Sequence, residues 1–340
     1  MKIKITLLLL LTNFAFSQVT DLLTNLNSAG ISNLTYKDNF IYFNSYVNKK
    51  VYRFDYTLPN PSYELVSQFN ENPNFVYVKN NTLYVGVENP YKTYKIDLSN
   101  LNSPPILLAN IAGPMAQINN ELYIGQYVAS KIVKINLTTN IQSDALLGYK
   151  PNFFTIYENQ LYFTSNHTNK LYKFDVTMNY LNVILNNLNY ASGIIMNDEL
   201  LFICESSGNS ISFYSKLDFQ FQDLIQLQPN SWPNGVIIIG NELFFIQTVA
   251  GKISKLPITP LLSNISFVNT EPKIKIYPNP TVDVINIESK YTFDEYKIYN
   301  TNGKLIQNSN IINNKINVSH LSKGKYILML DKNSQIFIKG

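Results

Sequence analysis

The residue types that most often perform catalysis are scarce in this chain. The one cysteine, Cys204, can form no disulfide within the chain and lies in an apolar run, where a buried free thiol is expected. The two histidines, His167 and His320, lie far apart in the sequence, so a Ser-His-Asp or Cys-His arrangement has few ways to form. We therefore assign no catalytic residue, and the histidine count excludes a histidine-rich zinc site.

A group of amide and hydroxyl side chains has the chemistry of a binding site. Asn74, Asn152 and Asn234 each follow a proline, and Ser192 occupies a similar place before an apolar segment. Amide oxygens together with a carboxylate such as Glu205 suit a hard cation such as calcium. A calcium ion bound by Asn152, Asn234 and Glu205 is the one cofactor that the sequence suggests. The alternative is that Pro-Asn is an ordinary turn signal without a ligand.

An internal repeat defines the elements that position these residues. Six segments share a turn residue pair followed by apolar or aromatic residues, and from Ile41 their aligned positions step by 42, 39, 39, 39 and 43 residues. Alternation with period two divides each unit into four short strands, which in the fourth unit are residues 153–157, 161–165, 170–175 and 181–185. This period predicts an all-β chain with a six-bladed β-propeller over residues 18–260.

The ring of blades needs a closing strand. The sixth unit provides only three strands, near residues 236–239, 243–248 and 252–256. Residues 21–26 are similar to residues 181–186, the outer strand of the fourth blade, and are expected to supply the missing strand. Closure by this N-terminal strand would cover edges that are otherwise open to pairing with another chain.

The propeller architecture predicts where a site would lie. The innermost strand of each blade starts on the face that also carries the loop between its second and third strands. The channel-face residues expected to converge there as a ligand site are Asn74, Asn152, Ser192, Glu205 and Asn234. Exposed aromatic residues on these loops would favour carbohydrate binding, and the candidates are Tyr46, Tyr91, Tyr127 and Trp232. The alternatives are rings buried between blades, or a passive adhesin that binds only through broad surfaces.

The N-terminus has the three parts of a secretory signal: basic residues 1–4, an apolar stretch 5–16 and a small-residue end 15–17. We predict a signal peptide at residues 1–17, with cleavage before Gln18. The apolar stretch is shorter than a bilayer span of about 20 residues, so the mature protein is expected to have no transmembrane segment.

A net charge of +4 spread over 15% charged residues argues against nucleic acid as a partner.

The pattern changes after residue 260. Residues 261–272 are predicted to be a linker, and residues 273–340 carry about seven short strands, which fit a small β-sandwich. Asn302-Gly303 between two alternating runs is a strong hairpin signal. The motifs of this region come in a fixed order: Tyr277-Pro278-Asn279-Pro280, an isoleucine-rich strand, Gly303-Lys304 and Gly324-Lys325-Tyr326.

This order of motifs resembles the type A C-terminal sorting domain of the type IX secretion system. The residues that carry the resemblance are Tyr277, Pro278, Asn279, Pro280, Gly303, Lys304, Gly324 and Tyr326. The resemblance implies that the type IX secretion machinery is a partner. It also implies that the chain passes through the periplasm and across the outer membrane, and that the protein is secreted or stays on the outer cell surface.

The repeat region resembles the gluconolactonase-like and TolB-like propellers. Residues 233–236 and 241–245 are similar to a strand in which an Asn of the gluconolactonase-like family binds calcium. That family needs an acidic residue at the start of an inner strand and another as base, and no inner strand here starts with Asp or Glu. The sequence therefore favours a binding or interaction module for an extracellular glycan or protein. The alternative is a calcium-dependent gluconolactonase-like hydrolase that uses the channel face.

Overall fold

The computed structural model describes residues 19–258, 261, 275–289, 293–301, 304–330 and 333–340. The chain divides into two compact units, Met1–Asn264 and Ile265–Gly340. The predicted signal peptide lies outside the described residues, and so does the predicted linker except for Leu261.

The first unit consists of six four-stranded antiparallel sheets, which are the blades of the predicted propeller. A short strand, β1 (Thr20–Leu23), precedes blade 1 and belongs to blade 6. Blades 1 to 3 contain β2 (Leu34–Lys37), β3 (Phe40–Ser45), β4 (Lys50–Asp55) and β5 (Tyr63–Gln68); β6 (Asn72–Lys79), β7 (Thr82–Glu88), β8 (Lys92–Asp97) and β9 (Ile106–Ala109); β10 (Met115–Ile118), β11 (Glu121–Gln126), β12 (Lys131–Asn136) and β13 (Gln142–Leu147).

The second half of the ring repeats this arrangement. Blades 4 to 6 contain β14 (Phe153–Tyr157), β15 (Gln160–Ser165), β16 (Lys170–Asp175) and β17 (Tyr180–Leu185); β18 (Ala191–Met196), β19 (Leu200–Glu205), β20 (Ser210–Ser215) and β21 (Phe221–Gln226); β22 (Pro233–Ile239), β23 (Glu242–Gln247) and β24 (Lys252–Pro257). A single turn of 3₁₀ helix, Ser206–Gly208, joins β19 to β20. The strands predicted for the fourth unit agree with β14 to β17 to within one residue at each end.

The ring closes as the sequence predicts. Inner strands of neighbouring blades contact each other from β2 through β6, β10, β14, β18 and β22, and β22 contacts β2. β1 pairs antiparallel with β24 and is the outer strand of blade 6. The Asp21 carboxylate supports this pairing, because it accepts hydrogen bonds from Ser254 Oγ and Lys252 Nζ, each at 2.7 Å.

The second strand of each blade lies between two other strands and packs on both faces. In β19 the five residues from Leu200 to Cys204 are fully buried, whereas the outer strand β13 is mostly exposed. Cys204 is thus the buried free thiol that the sequence predicts. Burial raises the pKa of its thiol far above the ordinary value, which keeps it in the unreactive protonated form.

The second unit is a small β-sandwich with its own core. Its strands are β25 (Lys275–Tyr277), β26 (Val284–Glu288), β27 (Glu295–Asn300), β28 (Leu305–Asn310), β29 (Lys315–Asn317), β30 (Gly324–Leu330) and β31 (Asn333–Lys339). They form one sheet in the order β25-β26-β29 and another in the order β28-β27-β30-β31. Ile298, Leu328 and Phe337 are among the fully buried residues of this core, and the Tyr326 ring stacks on Phe337 at 5.5 Å.

The Tyr277-Pro278-Asn279-Pro280 motif leads from β25 to the outer edge of β31, where Asn279 makes the contacts. Asn279 Oδ1 accepts a hydrogen bond from the Ile338 N–H, and Asn279 Nδ2 donates to the Ile336 carbonyl, both at 2.9 Å. The Thr281 N–H then donates to the Ile338 carbonyl at 2.8 Å. Among the other motif residues, the Lys304 N–H donates to Asn300 Oδ1 at 2.9 Å, and Gly303 lies outside the described residues.

We expect Gly251→Ala to destabilise the closed ring far more than Gly240→Ala. Both glycines have positive φ, +63° and +57°, so both substitutions carry a left-handed penalty of about 1–2 kcal/mol. A Cβ at Gly251 would lie 1.9 Å from Asn27 N, just after the closing strand, whereas nothing lies within 4 Å at Gly240. Urea unfolding should show at least about 2 kcal/mol more destabilisation for Gly251→Ala. Equal losses would contradict the close approach of the two segments.

We expect limited proteolysis to separate the two units. Their buried cores share no residue, and the residues between 261 and 275 have the composition of a linker. Mass spectrometry of a mild digest should give two persistent fragments with new ends between those positions. First cuts inside either unit would contradict the predicted boundaries at residues 260 and 273.

Candidate functional site

The upper face of the propeller is defined here as the face on which the inner strands begin and the loops between second and third strands lie. Strand pairing fixes this geometry, because an antiparallel second strand ends beside the start of its inner strand. In blade 5, for example, Ala191 at the start of β18 pairs with Glu205 at the end of β19. Residues at the starts of inner strands, such as Ser192, and residues at the ends of second strands, such as Glu205, therefore both reach this face.

An inner cavity of about 140 Å³ lies at the centre of the upper face. Four of the predicted site residues line it together, namely Asn74, Asn152, Ser192 and Asn234. The other polar residues that line it are Ser32, Asn166 and Ser206. The structure thus brings together side chains from five of the six blades, whereas Glu205 does not line this cavity.

The amide groups of the inner cavity differ in their hydrogen bonding. Asn74 Oδ1 accepts from Ser32 Oγ at 2.7 Å, and Asn74 Nδ2 donates to Glu88 Oε1 at 2.9 Å. Asn152 Nδ2 donates to the Ala191 carbonyl at 3.1 Å. The Oδ1 atoms of Asn166 and Asn234 are buried and accept no hydrogen bond within the protein. These two oxygens are therefore free to accept hydrogen bonds from a ligand.

The Ser192 side chain links blades 5 and 6 by hydrogen bonds. Its Oγ lies 2.8 Å from Ser206 Oγ and 3.1 Å from the carbonyl oxygens of Cys204 and Pro233. Ser206 Oγ donates to the same Pro233 carbonyl at 2.7 Å. Because Pro233 begins blade 6, these contacts hold the start of its inner strand against blade 5.

The Glu205 carboxylate forms its hydrogen bonds with residues that do not line the inner cavity. Its Oε2 accepts a hydrogen bond from the Asn189 N–H at 2.7 Å, and its Oε1 accepts one from Ser212 Oγ. Both carboxylate oxygens are therefore engaged away from the inner cavity. The part of the chain that the structure describes contains no cluster of three or more His, Cys, Asp or Glu residues placed to hold a metal ion. Asn152 and Asn234 alone do not make the carboxylate-rich shell that calcium prefers, so the predicted set does not fit this ion here.

An outer cavity of about 430 Å³ adjoins the inner one and shares Asn74, Phe75, Asn152, Asn166 and Tyr190 with it. Three tyrosines that line it keep much of their surface exposed: Tyr91 (43%), Tyr127 (38%) and Tyr190 (41%). Tyr91 and Tyr127 are among the aromatic candidates from the sequence, and Trp232 lines the inner cavity. Tyr46 lines neither cavity, but its hydroxyl lies 3.3 Å from Asn89 Nδ2 beside the outer one.

Tyr190 and Asn166 are site residues that the sequence analysis missed. Tyr190 has the more unusual backbone. It stands one residue before the inner strand of blade 5, where Trp232 stands in blade 6, and the two rings contact each other at 5.4 Å. Both have the left-handed backbone conformation, with φ of 59° and 49°. Each is held by an Asn from the loop between the second and third strands of the preceding blade, since the Tyr190 N–H donates to Asn169 Oδ1 at 3.2 Å and the Trp232 N–H to Asn209 Oδ1 at 3.0 Å.

The outer cavity carries little charge. Glu88 is the only charged side chain among its described lining residues. Burial, and then the nearby Glu88 carboxylate, raise the pKa of Tyr46, and burial followed by the neighbouring Tyr190 raises the pKa of Tyr127. Both hydroxyls therefore stay protonated at neutral pH, and Tyr46 forms a hydrogen bond with the Glu88 carboxylate. The arrangement suits a ligand that combines apolar faces with hydroxyl or amide groups.

The C-terminal unit matches a known protein family. Residues 275–339 match the family model of the secretion system C-terminal sorting domain. Beta-agarase D of Zobellia galactanivorans is 42% identical over 60 residues, which are 18% of this chain and 12% of the agarase, so the chain spans far less than two thirds of that enzyme.

The similar solved structures concern the fold alone. A calcium-binding protein, regucalcin, from Agrobacterium tumefaciens superposes with a TM-score of 0.56 at 10% identity, over 70% of this chain and 92% of that one. A streptogramin B lyase superposes with a TM-score of 0.54 at 17% identity, over 70% and 83%. At such identities the likeness supports the propeller fold and no activity.

The described residues contain no helix with the length and apolar character needed to cross a membrane. The C-terminal unit, in contrast, has both the predicted motif order and a family match over nearly its whole described length. The chain therefore carries a secretion system C-terminal sorting domain, which indicates export through the type IX secretion system to the cell surface or to the outside.

Proposed function

We propose that the propeller is an extracellular ligand-binding module whose site is formed by the inner and outer cavities of the upper face. The observation that carries this proposal is the pairing of two unpartnered amide oxygens, on Asn166 and Asn234, with a rim of exposed tyrosines. A buried acceptor without a partner costs about 1–3 kcal/mol. Together the two cavities have the volume and the mixture of apolar and polar groups that ligand sites usually have.

A binding role fits the available chemistry better than catalysis. Hydrolysis needs a positioned general base within reach of a water molecule or substrate. Glu88 is the only carboxylate that lines either cavity among the described residues, and Asn74 Nδ2 already donates to it at 2.9 Å. The hydroxyl of Ser192 is engaged between two blades, and Cys204 is buried outside the cavities. The side chains that remain accessible are amides and protonated tyrosines, none of which is a base at neutral pH, so they suit binding better than general-base catalysis.

A thermal-unfolding screen of the full chain tests this proposal. A ligand at 100 times its dissociation constant adds about 2.7 kcal/mol of stability, which for a domain of this size shifts the midpoint by roughly 5–10 °C. The compounds to test are neutral and charged oligosaccharides and short peptides. We expect at least one class to raise the midpoint of the wild type and of Tyr180→Ala by this amount, and that of Tyr127→Ala by no more than about half as much. Tyr180 is a suitable control because it is 59% exposed on the outer strand β17.

The second candidate function, a calcium-dependent hydrolase, has a separate test. Its one favourable observation is that Asn152 and Asn234 line the same cavity. Because both Glu205 oxygens are engaged elsewhere, we expect millimolar calcium to leave the unfolding midpoint unchanged. A calcium-dependent rise that disappears in Asn152→Ala and in Asn234→Ala would support the hydrolase instead, and a screen of lactone substrates would follow.

A further inference from the structure

The aromatic rim of the outer cavity is built at a cost in backbone energy. Most left-handed positions of the described chain carry Asn, which adopts that conformation readily, whereas Tyr190, which lines both cavities, and Trp232, which lines the inner one, have aromatic rings there, as Phe219 does away from the cavities. A bulky residue in this conformation costs about 1–2 kcal/mol. Either turn would form more easily with Asn or Gly, so the contribution of these two rings lies in their contact with each other and in the surface they give to the cavities. Flat, partly exposed rings are surfaces on which an apolar face can stack.

The inner cavity sets a second requirement on the ligand. Asn166 Oδ1 and Asn234 Oδ1 are buried acceptors without protein donors, so the ligand must supply donors of its own. Hydroxyl groups, amide N–H groups and ammonium groups are the candidates. A site built to accept hydrogen bonds discriminates strongly against analogues that lack the donor, because its buried groups would stay unpaired.

The charges around the outer cavity disfavour strongly ionic ligands. No Lys or Arg is among the described lining residues, so a carboxylate, sulfate or phosphate group in the cavity would face Glu88 with no counter-charge among the lining side chains, and only a group placed at the Tyr127 ring would lie near a cation, Lys150. A cationic ligand is disfavoured at Tyr127, because Lys150 Nζ already lies 5.5 Å from the centre of that ring. A ligand with hydroxyl donors, apolar faces and no net charge meets all of these conditions.

A peptide would need a different surface. Peptides are usually bound by an open sheet edge or by an apolar groove that accepts a helix or a polyproline segment. The upper face presents loops, rings and side-chain amides, whereas the strand edges of the blades lie on the outer strands. The absence of a backbone edge at the cavity favours a ring-shaped ligand over an extended chain of amides.

From these observations, and on the basis of the proposed binding function, we infer that the ligand is an uncharged carbohydrate. Its pyranose faces stack on Tyr91, Tyr127 and Tyr190 in the outer cavity. Hydroxyl groups of one sugar unit enter the inner cavity and donate hydrogen bonds to Asn166 Oδ1 and Asn234 Oδ1. Phe75 and Phe153 line both the inner cavity and the central channel below it, so these two rings form the floor on which that unit ends.

A tryptophan at the site can report ligand binding through its fluorescence. Trp232 is the only tryptophan of the sequence, and it lines the inner cavity in contact with Tyr190. A printed array of neutral, uronate-containing, sialylated and amino-sugar glycans identifies the class that the full chain binds. Titration of the bound glycans, with Trp232 fluorescence as the readout, then measures their dissociation constants, and a mixture of short peptides serves as the non-carbohydrate probe.

We expect neutral oligosaccharides to change Trp232 fluorescence, and uronate-containing or sialylated counterparts to bind at least tenfold more weakly. Tyr91→Ala and Tyr127→Ala should each weaken binding about tenfold or more, which corresponds to about 1.4 kcal/mol, whereas Tyr180→Ala should leave it unchanged. Asn166→Ala should also weaken binding, since it removes one acceptor. The unfolding midpoints of the four variants without ligand show whether each has kept its fold.

The possible results separate this inference from the proposed function. A response to peptides or to charged glycans alone that is lost in the tyrosine variants overturns the carbohydrate class but leaves the binding function in place. A neutral-glycan response that survives both tyrosine substitutions overturns the assigned site. If no compound of any class gives a response that depends on the tyrosines, in fluorescence or in thermal unfolding, both proposals are wrong.

Discussion

The pairing of β1 with β24 joins the two ends of the propeller, and the geometry of every other blade depends on it. Lys252 and its partner Asp21 are 231 residues apart in sequence, so the pairing closes a loop that includes the whole ring. Loop-closure entropy grows only slowly with loop length, so the length of the ring adds little to the cost of joining its ends. Because inner strands contact their neighbours all round the ring, the closure also fixes the distances across the upper face.

The polar residues of the upper face have two different uses. Side chains at or just after the ends of second strands donate hydrogen bonds to the carbonyl groups at the start of the next blade: Asn44 Nδ2 to Pro73 at 3.1 Å, Thr164 Oγ1 to Ser192 at 2.6 Å and Ser206 Oγ to Pro233 at 2.7 Å. These bonds satisfy backbone groups that strand pairing leaves free at the blade ends. Asn166 Oδ1 and Asn234 Oδ1 take no part in this network. The engaged acceptors hold neighbouring blades together, whereas the two free acceptors are available to bind a ligand.

The repeat period was sufficient to predict the propeller and its closing strand, and alternating runs with a hairpin signal to predict the sandwich, because both patterns follow directly from strand geometry. The same period placed Asn74, Asn152, Ser192 and Asn234 around one cavity. It failed to indicate the direction of Glu205, because a side chain at a strand end has several rotamers and this one meets Ser212 on the next strand. Tyr190 was missed because residue preference argues against an aromatic residue at positive φ. Only its alignment with Trp232 in the repeat would have indicated it.

The side chain of Asn279 acts on the last strand of the sorting domain much as a further strand would. An unpaired strand edge is a template for pairing with another copy of the same chain, and proteins exported in quantity meet many such copies. Asn279 and Thr281 cover the backbone of residues 336–338, which would otherwise present Ile336 and Ile338, 52% and 47% exposed, on an open edge. A short motif near the start of the domain thus covers the backbone edge at its end, the kind of edge through which strands of separate chains can pair.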